Sequence, residues 1–297
     1  MRSLASITAD LKLFAKYHLV RRVFDHPARE TELGIVPLAY DPAAYAEAIR
    51  SYAGDFEVST LATIPYLGTE HEVLEVVRCA RAPRRKLLVL AGVHGNEHAG
   101  LLAVQGLLDA LSAKPELADS VEVRVITPVN PVGAAHLSRY NALGYDINRD
   151  FMRFDTPEAR VVRDVALSMR PDFVVSLHEG PQEATFMFTN RAVSDALAAR
   201  VLDDVRDGGT TLAAQDYFGS SLNPAGHSPM GRGGWAANAV WGATLNMMST
   251  CMWFGEQGVP EITLESSWRL SDPDARVRGH VDLVLSVLKA LREDAAA

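Results

Sequence analysis

LLVLAGVHGNEHAG, residues 87–100, decides how this chain is read. A run of aliphatic residues ends in glycine, and His94, Glu97 and His98 follow at once. An aliphatic run with no polar face suits a strand covered on both sides. HAGLLAVQGLLDALSA, residues 98–113, then repeats its apolar positions at helical period. Polar residues at such a strand-to-helix turn stand where open α/β sheets keep their ligands, beyond the carboxyl ends of the strands.

The pattern recurs outward from this point. VEVRVITPVN (121–130), DFVVSLHEG (172–180) and VPEITLESSW (259–268) read as further strands. PEARVVRDVALSM (157–169), SDALAARVLDDVRDGG (194–209) and DARVRGHVDLVLSVLKALRED (274–294) read as helices. Upstream, FEVSTLATI (56–64) and HEVLEVVRCA (71–80) alternate apolar and polar residues and suit a hairpin. In DPAAYAEAIRSYAG (41–54), Asp41 can cap a helix, Pro42 suits its first turn and Gly54 can end it. The expected fold class is α/β, a mostly parallel mixed central sheet with helices on both faces. Residues 1–55 are expected to form a helical extension packed on a catalytic domain spanning 56–297. MRSLASITADLKLFAKYHLVRR at the start reads as an amphipathic helix. Residues 207–258 are long, weakly periodic and rich in Gly, Pro and Asn, as expected of a binding wall or lid.

Composition narrows the function classes. The formal net charge is −8, from 37 acidic and 29 basic residues, which disfavours nucleic acid and anionic membranes as partners. Two cysteines, Cys79 and Cys251, form neither a zinc-ribbon pattern nor a disulfide framework. No stretch approaches the length of a membrane span, and the N-terminus lacks a signal-peptide pattern. A cytoplasmic protein is expected.

The strand ends carry the chemistry. His94 and Glu97 follow the first buried strand, His178 lies at the end of another and Glu265 near the end of a third. Two imidazoles and one carboxylate form a catalytic zinc set with a position left open. Gly92 and Gly95 permit the turn that would bring His94 and Glu97 to one ion. His178 would be the third ligand, and Glu265 would take a proton from the activated water. His94-Gly-Asn-Glu97-His98 also parses as H-x-x-E-H, with both histidines as ligands. That parsing needs Gly95 inside a helix, which is costly. His18, His26, His71, His136, His227 and His280 have no such support and read as ordinary side chains.

These motifs resemble, in order, those of the zinc carboxypeptidase family, the M14 metallopeptidases. AGVHGNEHAG resembles its H-x-x-E metal motif, and NPVGAAHLSRYNALGYDINRDF (130–151) its long Arg, Asn and Asp-bearing segment. VVSLHEG resembles the strand of the third ligand and ITLES that of the catalytic glutamate. The resemblance implies one zinc ion on His94, Glu97 and His178, with Glu265 as general base. It implies that Arg139 polarises the scissile carbonyl and that Asn148 and Arg149 grip a substrate carboxylate. Such guanidinium roles suit planar, bidentate donors. For Arg149 a surface ion pair with Asp146 or Asp150 is the simpler alternative. Asp150 departs from the family pattern and could alter the charge of the clamp. A tyrosine from the long loop, such as Tyr217, is a further candidate. The substrate implied is a small peptide or an acylated amino acid with a free carboxylate. The related succinylglutamate desuccinylase and aspartoacylase branch shares the metal set; its further β-rich domain is not expected here, since the 32 residues after Glu265 read as one helix.

Overall fold

Continuous aliphatic strands require cover on both faces, and the chain supplies it with helices. The computed structural model describes residues 19–25, 34–80, 82–217, 219–230, 240 and 242–296. The amphipathic helix read in residues 1–22 falls almost wholly outside them, as do His18 and His26.

The elements, in chain order, are α1 (Pro42–Ser51), β1 (Glu57–Tyr66), β2 (Thr69–Arg78), β3 (Arg85–Ala91), α2 (His98–Ala113), β4 (Val121–Thr127), α3 (Pro131–His136), α4 (Pro157–Met169), β5 (Phe173–Gly180), β6 (Phe186–Thr189), α5 (Asp195–Asp207), β7 (His227–Pro229), α6 (Thr250–Glu256), β8 (Glu261–Ser267) and α7 (Pro273–Ala296). The strands form one sheet in the order β1-β2-β4-β3-β5-β8-β6-β7. Its centre, β4-β3-β5-β8, is parallel; β2 and β6 join it antiparallel, β1 pairs antiparallel with β2 at the edge, and β7 runs parallel to β6.

Period-two alternation divides each strand between two cores. Leu87, Val89, Val175, Leu177, Ile262 and Leu264 pack beneath α2, α5 and α7. Leu88, Leu90 and Val174 face the other way, against α4 and α6. Each fully buried Leu or Val contributes about 1.5–3 kcal/mol, so either face alone outweighs a single surface ion pair. His178 is four residues beyond Val174 on β5, and Glu265 alternates with Ile262 and Leu264 on β8. Both therefore sit on the face of α4 and α6, at the carboxyl end of the sheet.

α1 starts as its sequence indicates: the Asp41 carboxylate accepts from Ala44 N at 2.7 Å, and Pro42 occupies the first turn. The long stretch 207–258 contains more structure than its composition suggests, namely β7 and α6. α6 is buried nearly all round, so it has no amphipathic period to read. Among the described residues no helix is long and apolar enough to cross a membrane.

Candidate metal centre and active site

The site begins at the turn after β3. Gly92 adopts φ +71°, and its carbonyl accepts from Asn130 N at 2.8 Å. Gly95 lies against the first turn of α3. A Cβ there would stand 2.0 Å from the Gly133 carbonyl carbon and 2.2 Å from Ala134 N, so only glycine fits. The chain then enters α2 at His98, and His94 and Glu97 are left on the same side of the turn.

His178, from β5, completes a buried cluster. Glu97 Oε1 lies 2.7 Å from His94 Nδ1, and Glu97 Oε2 lies 2.7 Å from His178 Nδ1. The two Nδ1 atoms are 3.1 Å apart. One ligand atom from each residue falls within 4.8 Å of the others. Burial alone would raise the Glu97 carboxyl, but the two imidazoles hold it well below the usual carboxylate range. Burial lowers His178, so its neutral, metal-ligating form is favoured. Two imidazole lone pairs and a carboxylate, crowded together out of water, are a donor set that a divalent cation would reconcile.

Asp146 stands behind His94. Its carboxylate accepts from His94 Nε2 at 3.2 Å and from Arg139 Nε at 2.8 Å. With Nε2–H committed to Asp146, Nδ1 presents its lone pair to the cluster. Arg139 Nη1 lies 3.2 Å from that Nδ1. Burial opposes ionisation of Asp146, yet Arg139 and Arg149 hold it far below its ordinary value. Arg149 is buried rather than on the surface, and its Nη1 donates to the Asn148 carbonyl at 2.8 Å. Asn148 Oδ1 accepts from Thr250 N at 3.0 Å, which leaves its amide N–H groups for a further acceptor. Asp150 does not add charge to this clamp. Its carboxylate is turned to Thr156, accepting from the backbone N at 2.7 Å and from the hydroxyl at 2.8 Å.

Glu265 is the Cα partner of His178 across the β5–β8 ladder. Burial, and then the charge of Glu97, push its carboxyl well above 4.5. The Tyr217 ring meets Phe186 and Phe188 with centroids 5.6 and 5.8 Å away. Burial, followed by the charge of Glu265, raises its hydroxyl pKa.

His98 belongs elsewhere. Its ring stacks on Tyr40 at 4.5 Å, and its Nε2 donates to the Ala134 carbonyl at 3.0 Å. α2 begins at His98, so Gly95 is outside any helix and the H-x-x-E-H parsing lacks the geometry it needs.

Three supports of the site carry little signal in the sequence. Asp146 lies in the Asp-bearing segment 130–151, but nothing local marks it as the partner of His94. Glu179 and Arg276 form a fully buried bidentate pair, 2.8 and 3.0 Å, and Glu179 also accepts from Ala99 N at the start of α2. Residues 21–23 bridge the loop that carries Asp146: Asp146 N donates to the Arg21 carbonyl at 2.9 Å and Val23 N to that of Gly144 at 2.8 Å.

Comparison with known proteins agrees with this architecture. Residues 83–199 match the family model for the succinylglutamate desuccinylase/aspartoacylase catalytic domain. That span includes His94, Glu97, Arg139, Asn148, Arg149 and His178 and stops short of Glu265. Carboxypeptidase 2 of Trichophyton tonsurans is 26% identical over 146 residues, 46% of this chain but only 27% of that protein. A Shewanella amazonensis structure assigned as a metallopeptidase superposes with TM-score 0.67 at 17% identity, covering 84% of this chain and 93% of the other. A Pseudomonas aeruginosa metallo-carboxypeptidase, solved with (2-guanidinoethylmercapto)succinic acid, gives TM-score 0.60 at 21% identity over 86% of this chain and 70% of its own. These relatives carry the names carboxypeptidase and metallopeptidase, and the solved structures share the fold. The chain has a carboxypeptidase-like fold, its residues 83–199 match the desuccinylase/aspartoacylase catalytic-domain model, and its ordered motifs resemble those of the zinc carboxypeptidase family.

Proposed function

We propose that this protein is a zinc-dependent amide hydrolase that cleaves next to a substrate carboxylate. The observation that carries the reading is the buried convergence of His94 Nδ1, His178 Nδ1 and the Glu97 carboxylate, with Glu265 on the neighbouring strand. One zinc ion held by these three residues would supply Lewis acidity and a water made nucleophilic near neutral pH. Arg149 and the Asn148 amide would hold the substrate carboxylate, which fixes the scissile bond relative to the cluster. Arg139, anchored through Nε on Asp146, would set its guanidinium charge beside the carbonyl oxygen as charge develops there. Glu265 would accept the proton of the attacking water and return it to the leaving nitrogen. Burial, and then the charge of Glu97, raise its proton affinity, as suits a group that takes up a proton and later gives it back.

Glu265→Gln tests this reading. The variant is expected to retain stoichiometric zinc and lose at least about 10²-fold in turnover, the scale of a positioned general base. Wild-type turnover in the zinc-loaded variant would assign the base elsewhere.

The match to the desuccinylase/aspartoacylase catalytic domain favours a second reading, with the same residues acting on an N-acyl amino acid. Short peptides with free C-termini, assayed against N-succinyl and N-acetyl amino acids, separate the two. The preferred class is the one with the higher kcat/KM.

A further inference from the structure

Between β5 and β6 the chain passes through Pro181 and Gln182. β6 pairs with β8 only from Thr189↔Ile262 to Phe186↔Glu265, so it leaves β8 at Glu265 itself. Gln182 takes over at that point. Its Nε2 donates to the Glu265 carbonyl at 2.9 Å and to the Ser266 carbonyl at 3.0 Å. On the other side of β8, Trp268 N donates to the Gly180 carbonyl at 3.1 Å. The end of β8 is therefore fastened from both sides.

The chemistry of the carboxamide fixes its orientation. Main-chain carbonyls only accept, so the amide N–H groups must face them and Oε1 must face away. Gln182 is 6% exposed, and Oε1 has no hydrogen-bond partner among the described residues. Oε1 borders Gly180 instead. A Cβ at position 180 would stand 2.3 Å from Gln182 Oε1 and 3.2 Å from Glu265 Oε2. The amide oxygen and the carboxylate oxygen thus border one gap, which exists because residue 180 has no side chain.

We propose that Gln182 is a positioning residue for Glu265, with Gly180 providing the gap the two side chains share. The proposal rests on the reading of Glu265 as the base. Nε2 fixes the backbone from which Glu265 projects. Oε1 borders one side of the carboxylate and, as an acceptor, cannot donate to it. Most buried polar atoms have a hydrogen-bond partner. Here one end is committed to β8 and the other is held beside the base.

The test uses Gln182→Met, which keeps the length and loses both donors, together with Gly180→Ala and the double variant, each purified with its zinc content measured. With a substrate the wild type turns over, each single variant is expected to keep zinc and nearly the wild-type KM. Each is expected to lose about 10- to 100-fold in kcat, as for a displacement of about 1 Å at a reacting group. The double variant is expected to lose little beyond the worse single one, since both act through one seat. Wild-type kcat in zinc-loaded Gln182→Met, or fully additive losses, would overturn the proposal. Hydrogen exchange of the 15N-labelled Gln182 carboxamide in the wild type examines the seat without reference to turnover. Protection supports it, and exchange as fast as that of a free amide refutes it even if the chain hydrolyses no amide. Should Gln182→Met fail to fold, Gly180→Ala and the exchange measurement decide on their own.

Discussion

Asp146→Asn is expected to damage the metal centre although residue 146 is not assigned to the metal or the substrate. Both partners of the Asp146 carboxylate are donors: His94 Nε2 at 3.2 Å and Arg139 Nε at 2.8 Å. Asparagine offers one acceptor atom, so its amide N–H groups would oppose one of those donors. If His94 loses its anchor, the tautomer that presents Nδ1 is no longer held, and zinc affinity should fall about 10- to 100-fold. That range corresponds to about 1.4–2.7 kcal/mol of binding. A second cost appears without metal. Arg139 and Arg149 are both buried, and the substitution removes the carboxylate whose charge they share. Breaking a buried charge pair costs about 3–5 kcal/mol. Zinc competition against a chromophoric chelator measures the first quantity, and denaturant unfolding in excess chelator the second. Zinc affinity within about twofold of wild type, well short of the expected loss, would mean that Asp146 does not orient His94. An unchanged unfolding midpoint would likewise mean that it does not balance the two guanidiniums.

His98→Gln should leave zinc stoichiometry intact while His178→Ala abolishes it, because only the second ring faces the cluster; loss of zinc from both would revive the H-x-x-E-H parsing. Arg149→Met should raise KM about 10- to 100-fold for substrates with a free carboxylate, the scale of one charge-assisted hydrogen bond. It should have little effect on amidated ones, and an equal effect on both would remove Arg149 from the clamp. Glu261→Gln should flatten the pH dependence of stability. Burial raises the Glu261 carboxyl from 4.5 to about 7, against the opposing hydrogen bonds of Ser176, Thr250 and Thr263. The native state therefore holds a proton that the unfolded chain releases at lower pH. The stability gained is complete below about pH 4.5, declines as pH rises and is gone above about 7. The difference is roughly 3 kcal/mol, readable as urea midpoints at pH 5 and pH 8; parallel slopes in wild type and variant would refute it.

Much of this molecule was legible in one dimension, and the exceptions have physical causes. β3 and β5 stand out because burial on both faces leaves long aliphatic runs, and β8 because Ile262 and Leu264 alternate with the polar residues between them. β6 and β7, at four and three residues, are too short to show a period and exist through their pairing with β8 and with each other. α6 shows no stripe because nearly all of it is covered. His94, Glu97, His178 and Glu265 could be singled out because each occupies the same place relative to its own strand. Tyr217 could only be guessed, since its place depends on packing against β6 and not on a local pattern.

The sequence by itself determined the alternation of buried strands and helices, and with it which edge of the sheet would collect the polar side chains. Local periodicity suffices for that, because burial acts on each element separately. Only the tertiary structure decided which of those side chains act together. Asp146 reaches His94 across 52 positions, Arg276 reaches Glu179 across 97, and Gln182 reaches the backbone of Glu265 across 83. Such partners are selected by how the sheet closes and which backbone groups it leaves unpaired. Neither condition exists until the chain has folded.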